Sequence, residues 1–355
     1  MLLLAIIWAS SIAQATQISK AGEAALRAAI QDHPVVGISA AISVNQVLVW
    51  SGAAGYANRE DGELASPDTV YRIASITKPM TAVAMMQLVE SGHANLDQPI
   101  NDLVPSFPQK RWGVTLHHLL SHTSGVRHYS RQREADSTRH YPSLTDAVEV
   151  FRGSRLRFRP GSRYLYSTYG YTLVGAAIES ASGMKFENYM RERVWMPTGM
   201  ESTQLEIKGR KIPRTAKGYN VTDSETVDEA PYTDLSVKYP GGGVVSTVKD
   251  LLRFAHAFET GVLVSSETRA QMLRPYVVSD GTETSQGLGW KLEQDERLGL
   301  FAYTHSGRQA GTNADLIVYP EPAIAIAVIS NVSGTRPALI EVEYALFDAV
   351  QAARL

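Results

Sequence analysis

The sequence predicts an α/β protein in which an antiparallel sheet is flanked by helices, a helix–sheet–helix sandwich carrying an inserted, mainly helical region. Three observations point there. Strand-like runs cluster near both chain ends, a helix that is apolar nearly all round follows Ser75, and the stretch between carries short helix candidates broken by proline and glycine. The expected organisation is a signal peptide over 1–15, a sandwich built from 16–95 with 245–355, and an insertion over 96–244.

From the N-terminus, Leu2 to Trp8 is apolar and Ala13-Gln14-Ala15 offers a small-x-small cleavage pattern before Thr16, although Lys and Arg are absent from the leading residues. That pattern reads as a secretory signal and predicts a periplasmic or secreted protein, the apolar stretch being too short for a spanning helix. The chain has no cysteine, which excludes a lipoprotein anchor and a disulfide framework. A helix is expected over Ile18 to Ile30, stopped by Pro34. Val35 to Val44 and Val47 to Ala54 then read as a hairpin turning at Asn45-Gln46, with a loop from Gly55 to Pro67.

The segment Tyr71 to Val89 is the one around which the chain makes sense. Ser75 precedes an apolar run that belongs in a protein interior, which places its hydroxyl at a helix N-terminus, where free N–H groups favour a developing anion. Lys78 follows one turn later on the same face. A hydroxyl beside a desolvated amine is an activated nucleophile. The plainer reading is a helix cap with a solvated lysine. Two other Ser-x-x-Lys pairs exist, and local structure accounts for both. Ser182 sits at a helix C-terminus before Gly183, and Ser246 precedes a helix with Thr247 and Asp250 as a capping box.

Further on, prolines at 99, 105 and 108 mark an irregular connection, and Val114 to Leu120 is a short helix. His118 and His122 have the spacing of a metal pair, but no third ligand accompanies them, so turn-capping is the better reading and no metal is expected. Arg127 to Arg163 is locally basic, which reads as a solvated loop, with attraction of an acidic substrate as the alternative. Thr172 to Ala181 is an apolar helix. Residues 201–240 look irregular, and Gly241-Gly242-Gly243 signals a close backbone approach. Leu251 to Phe258 is an amphipathic helix. Four strands follow at Gly287 to Glu293, Leu300 to Ser306, Ala314 to Tyr319 and Ala323 to Ser330, with a turn over Gly307 to Thr312 and a closing helix from Ala338 to Gln351.

Composition excludes some partners. With 355 residues, 44% hydrophobic and 20% charged, and a net charge of −2, nothing global suggests nucleic acid or an anionic membrane. There is no phosphate-binding Gly-x-x-x-x-Gly-Lys-Ser/Thr, no His-Glu-x-x-His and no Gly-x-Ser-x-Gly. No cofactor is called for.

Ser75-Ile76-Thr77-Lys78, Tyr166-Ser167-Thr168 and His305-Ser306-Gly307, in this order and at these separations, together resemble the serine beta-lactamase-like hydrolases. That superfamily holds class C beta-lactamases, D-Ala-D-Ala peptidases and family VIII carboxylesterases. The branch with the mitochondrial beta-lactamase-like proteins and their bacterial relatives looks most similar, sharing the Tyr-Ser-Thr motif and the run Ser121 to Tyr129. The resemblance implies an acyl-enzyme on Ser75, with Lys78 and Tyr166 exchanging the proton and either able to serve as base. It implies an oxyanion hole from the N–H groups of Ser75 and Arg308, and a substrate-binding wall of Thr168, His305, Ser306, Gly307 and Arg308. Gly307 is read as leaving room for substrate along its strand. Thr168 stands where asparagine is common and His305 where lysine is, which counts against penicillin recognition. The expected activity is hydrolysis of an ester or peptide bond in a small-molecule or peptide substrate. The alternatives are a true beta-lactamase, or a non-catalytic binding or filament-forming protein on this fold, and a homo-oligomer or filament is a possible assembly.

Overall fold

The computed structural model describes the backbone of residues 2–224 and 226–353 and the side chains from Gln14 onward. The stretch read as a signal peptide lies largely outside the described side chains. Helix α1 (Leu2–Asp32) contains the expected helix in its second half. Strands β1 (Gly37–Val44) and β2 (Val47–Asn58) form the expected hairpin. Asn45 and Gln46 both take left-handed φ, 48° and 68°, as a two-residue turn matched to strand twist requires. The segment from Gly55 is not all loop. Left-handed Gly55 (φ 76°) redirects the chain without ending β2, which runs on to pair with β3 (Glu63–Leu64).

Helix α2 (Thr77–Glu90) follows a short 3-10 turn, Ala74–Ile76, and α3 (Thr168–Ser182) begins four residues before its expected start. The cause is Ser167, whose hydroxyl accepts the Gly170 N–H at 2.9 Å and caps the helix; Gly183 closes it at φ 69°. Residues 201–240 carry short strands such as Gln204–Leu205 and Tyr219–Val221. Helix α4 (Val248–Glu259) is capped by Thr247, but Asp250 turns to Ser202, Thr203 and Arg253, so the capping box is half made.

The C-terminal strands are β4 (Lys291–Asp295), β5 (Leu300–Gln309), β6 (Thr312–Tyr319) and β7 (Ile324–Ser330), and α5 (Arg336–Ala353) closes the chain. The turn expected over Gly307 to Thr312 is only Ala310-Gly311, because Gly311 reverses the chain at φ 78° and lets Gln309 pair with Thr312. The seven strands form one antiparallel sheet in the order β3-β2-β1-β7-β6-β5-β4. Strands from the two chain ends meet at β1 and β7, with Ala40 opposite Val328.

Alternation along these strands builds two cores. Ile38, Ile42, Ile326 and Val328 face α1 and α5, while Ala41, Ala327 and Ile329 face the larger core with α2, α3 and α4. Each fully buried Ile or Val of this kind contributes about 1.5–3 kcal/mol. Helix α2 is buried from Thr77 through Met86, which makes it a fixed platform. Among the described residues no helix is long and apolar enough to cross a membrane.

Candidate active site

Ser75 lies in the middle of the 3-10 turn, not at the first position of α2. In a 3-10 turn residues three apart eclipse, so Lys78, in the first turn of α2, sits directly above it. The Lys78 Nζ reaches Ser75 Oγ at 3.0 Å and donates to the Gly241 carbonyl at 2.6 Å. Ala74, just before Ser75, is held at φ 46°, a conformation costly for alanine that persists because Thr77 Oγ1 donates to its carbonyl at 2.7 Å and strand β5 presses on it.

Lys78 is completely buried and has no carboxylate partner among the described residues. Burial first, and the charge of Lys238 second, hold its amine well below the ordinary lysine value. Its Nζ lies 4.7 Å from the ring centre of Tyr166 and 5.7 Å from that of Tyr171, contacts that favour the cation but do not offset desolvation. The Tyr166 phenol moves the opposite way, pushed up by burial with a Ser75 hydrogen bond opposing. Burial thus favours the neutral, proton-accepting form of Lys78 and disfavours the phenolate of Tyr166.

Tyr166 is clamped from both sides by the turn at His122, itself at φ 59°. Leu165 N–H donates to the His122 carbonyl at 2.8 Å and Ser167 N–H to His122 Nδ1 at 3.2 Å. The next N–H, of Thr168, goes to His128 Nδ1 at 3.2 Å. Two histidines thus satisfy N–H groups that the start of α3 leaves free. Both accept through Nδ1, so each carries its proton on Nε2. Both are held low, His128 to about 4, by burial and then by Lys78. His118, by contrast, completes a capping box with Thr115, as its turn-capping reading expected. Among the described residues no group of three or more His, Asp or Glu could hold a metal.

Strand β5 forms the facing wall. Gly307 is packed so tightly that a Cβ there would lie 2.2 Å from the Ile73 carbonyl oxygen and 3.2 Å from Ala74 Cβ. Its missing side chain makes room for the turn carrying Ser75, which corrects the expectation that substrate fills that space. His305 is also not the conditional cation expected. Burial, then the charge of Lys78, lowers it to about 3, and its Nδ1–H donates to the Ser306 carbonyl at 2.8 Å. Nε2 is left as a neutral acceptor. Ser75, Tyr166, Thr168, His305, Ser306, Gly307 and Arg308 all line one cleft of about 1370 Å³.

Residues 23–351 match the beta-lactamase family. The chain belongs to that family. It is 28% identical over 377 residues to the human mitochondrial serine beta-lactamase-like protein LACTB, covering 80% of this chain and 69% of that protein. It is 29% identical over 299 residues to penicillin-binding protein 4* of Bacillus subtilis, covering 80% and 65%. The octameric penicillin-binding protein homologue from Pyrococcus abyssi superposes with a TM-score of 0.79 at 27% identity, over 92% of this chain and 76% of that one.

As a beta-lactamase-family serine hydrolase, the chain keeps Ser75, Lys78 and Tyr166 together, and Thr168 and His305 remain its departures. Sequence reasoning read His122 as turn-capping without finding its partner at the start of α3, and it missed the role of His128, although both stand in the Ser121 to Tyr129 run that carried the family likeness. It also missed Lys238, a buried cleft residue for which the sequence holds no local signal. The basic segment is not simply solvated. Arg127 pairs with Glu134 at 2.6 Å and lies 4.9 Å over Tyr169, while Arg163 lines the cleft.

Proposed function

We propose that this chain hydrolyses ester or amide bonds through an acyl-enzyme on Ser75. The observation that carries the reading is the 3.0 Å contact between Ser75 Oγ and a buried amine with no counter-charge. In the neutral amine that contact runs from the Ser75 O–H to the Lys78 lone pair. As Oγ bonds to the substrate carbonyl carbon, its proton passes to Lys78, and the carbonyl π pair moves onto oxygen. The N–H groups of Ser75 and Arg308 receive that oxyanion, donors of this kind being worth about 3 kcal/mol each. Collapse expels the leaving group, which takes the proton back from Lys78 by way of the Tyr166 hydroxyl. Water then repeats the sequence on the acyl-enzyme, with Lys78 again as base.

Penicillins fit less well. A neutral His305 in the cleft wall gives no charge to a β-lactam carboxylate, and the Thr168 hydroxyl gives less than a carboxamide. The apolar start and the Ala13-Gln14-Ala15 pattern support export to a periplasmic or secreted location. The octameric homologue supports testing for self-association by light scattering.

The deciding experiment is hydrolysis of p-nitrophenyl butyrate by the protein and by its Ser75→Ala variant. Turnover that disappears with the hydroxyl, in a variant that still melts cooperatively, is the expected result. Equal rates in the two proteins would overturn the reading and leave a binding or assembling protein on this fold.

A further inference from the structure

Lys238 is 4% exposed, yet no carboxylate pairs with it among the described residues. Its Nζ donates to the Ala135 carbonyl at 2.7 Å and lies 5.8 Å over the Tyr129 ring, which leaves N–H groups unused. Asp136 and Glu206 act on it only from a distance, neither within ion-pair reach. Arg72 is held by Glu206 at 2.5 Å, and Asp136 accepts from Gln132 at 2.9 Å. Burying an ammonium without a counter-ion is costly, and such sites are retained where a ligand supplies the missing charge. Burial and Arg72 lower the group to about 8, so it is still mostly charged at neutral pH.

Its place in the cleft says which part of a substrate it meets. Lys238 lines the same cavity as Ser75, and its charge is felt at Lys78, 3.0 Å from the Ser75 hydroxyl. Tyr166, the route of the leaving-group proton, lies beside His305 with ring centres 6.3 Å apart. Lys238 is instead held at Ala135 and beside Tyr129, and His128 stands between Tyr129 and Tyr166, its ring centre 4.2 Å from the one and 5.5 Å from the other. A leaving group that takes its proton through Tyr166 fits the His305 side, which adjoins Tyr166 directly, and an acyl portion then fits the Lys238 side, which reaches Tyr166 only across Tyr129 and His128.

We infer that Lys238 is the specificity-determining residue of an acyl-side subsite for a carboxylate, so that the favoured substrates carry an anionic acyl group. This rests on the serine hydrolase reading above. Unlike the usual third-motif lysine, whose place His305 takes, Lys238 approaches from the wall of Tyr129 and Thr168.

The test compares mono-p-nitrophenyl glutarate, p-nitrophenyl pentanoate and 3-carboxy-4-nitrophenyl pentanoate, each corrected for its own hydrolysis. The protein is expected to favour the glutarate ester over the neutral ester in kcat/KM by about tenfold, one charge-assisted hydrogen bond's worth. In Lys238→Met that preference collapses, mainly through KM, and Lys238→Arg restores part of it. A preference untouched in a folded Lys238→Met protein, or one that follows the carboxylate on the leaving group, overturns the inference. Loss of all Ser75-dependent turnover would instead sink the hydrolase reading. The subsite is then read without turnover, by titrating Ser75→Ala protein with monomethyl glutarate. Binding that weakens about tenfold on adding Lys238→Met supports it, and equal binding overturns it.

Discussion

The rings of His122 and Tyr166 lie with centroids 4.4 Å apart, and the backbone on both sides of Tyr166 is hydrogen-bonded to His122. This histidine touches no reacting atom in the proposed chemistry. It sets where the phenol points.

His122→Ala is expected to lower kcat by about 10²-fold with little change in KM, since small misplacements of a reacting group cost that much. His122→Asn should recover much of the loss. Asparagine tolerates the left-handed backbone at φ 59° and its Oδ1 can accept the Ser167 N–H. Steady-state kinetics on p-nitrophenyl butyrate decide it. Equal losses in the two variants would mean that the ring itself, not the held backbone, is what matters.

Lys78 predicts the pH profile. In the proposed chemistry the neutral amine is the active form and burial lowers its proton affinity, so kcat/KM should rise with pH through a value well below the ordinary lysine range and fall as the amine protonates. Lys78→Arg keeps a cation that never deprotonates, and should lose about 10³-fold in kcat without recovering at high pH. A rate–pH profile of both proteins checks this. Recovery of the arginine variant at alkaline pH would move the base role to Tyr166.

Gly307→Ala separates two readings of one glycine. If the space serves only substrate, the variant keeps its melting temperature and loses activity. The 2.2 Å approach to the Ile73 carbonyl predicts that both fall, because β5 or the turn before α2 must move. An overpacking cost of about 1–3 kcal/mol is expected. Thermal melting alongside kinetics reads out the difference.

The parts of this molecule that were legible in sequence are those encoded locally. Strand-like runs bounded by turn residues located β1, β2, β5, β6 and β7 to within a few residues, and an apolar run with a hydroxyl and an amine three apart located Ser75 and Lys78. The rest depends on distant partners. His122 and Ser167 are 45 residues apart, His128 and Thr168 40, and Lys238 and Ala135 103. No local pattern announces such pairs. His305 shows the same limit in its chemistry, because its charge is set by burial and by Lys78, both products of the fold. The Gly307 turn was placed too early because a glycine in a strand and a glycine in a turn look alike until its neighbour is known.

Behind the cleft wall, Asp315 on β6 and Glu343 on α5 form a buried acidic pair. Arg336 Nε comes within 3.5 Å of Asp315, but neither Asp315 oxygen has a hydrogen-bond partner, nor does Glu343 Oε1. Glu293, Asp295 and Lys291 on β4 also face the pair. Burial raises both carboxyls, Asp315 to about 7 with Arg336 opposing, and Glu343 well above its usual range with Asp315 adding to the rise. The sign follows from proton binding. Folded carboxyls that hold protons more tightly than unfolded ones stabilise the protein fully at low pH, and that contribution is lost as pH rises through the raised values. The melting temperature should therefore fall between roughly pH 4 and 7, from the ordinary carboxyl value of the unfolded chain up to the raised value of Asp315. Glu343→Gln, neutral at every pH, should flatten that fall and raise the melting temperature at pH 8 by about 2 °C or more. Scanning calorimetry across pH on both proteins makes the comparison, and parallel curves would show that the pair is ionised and solvated in solution.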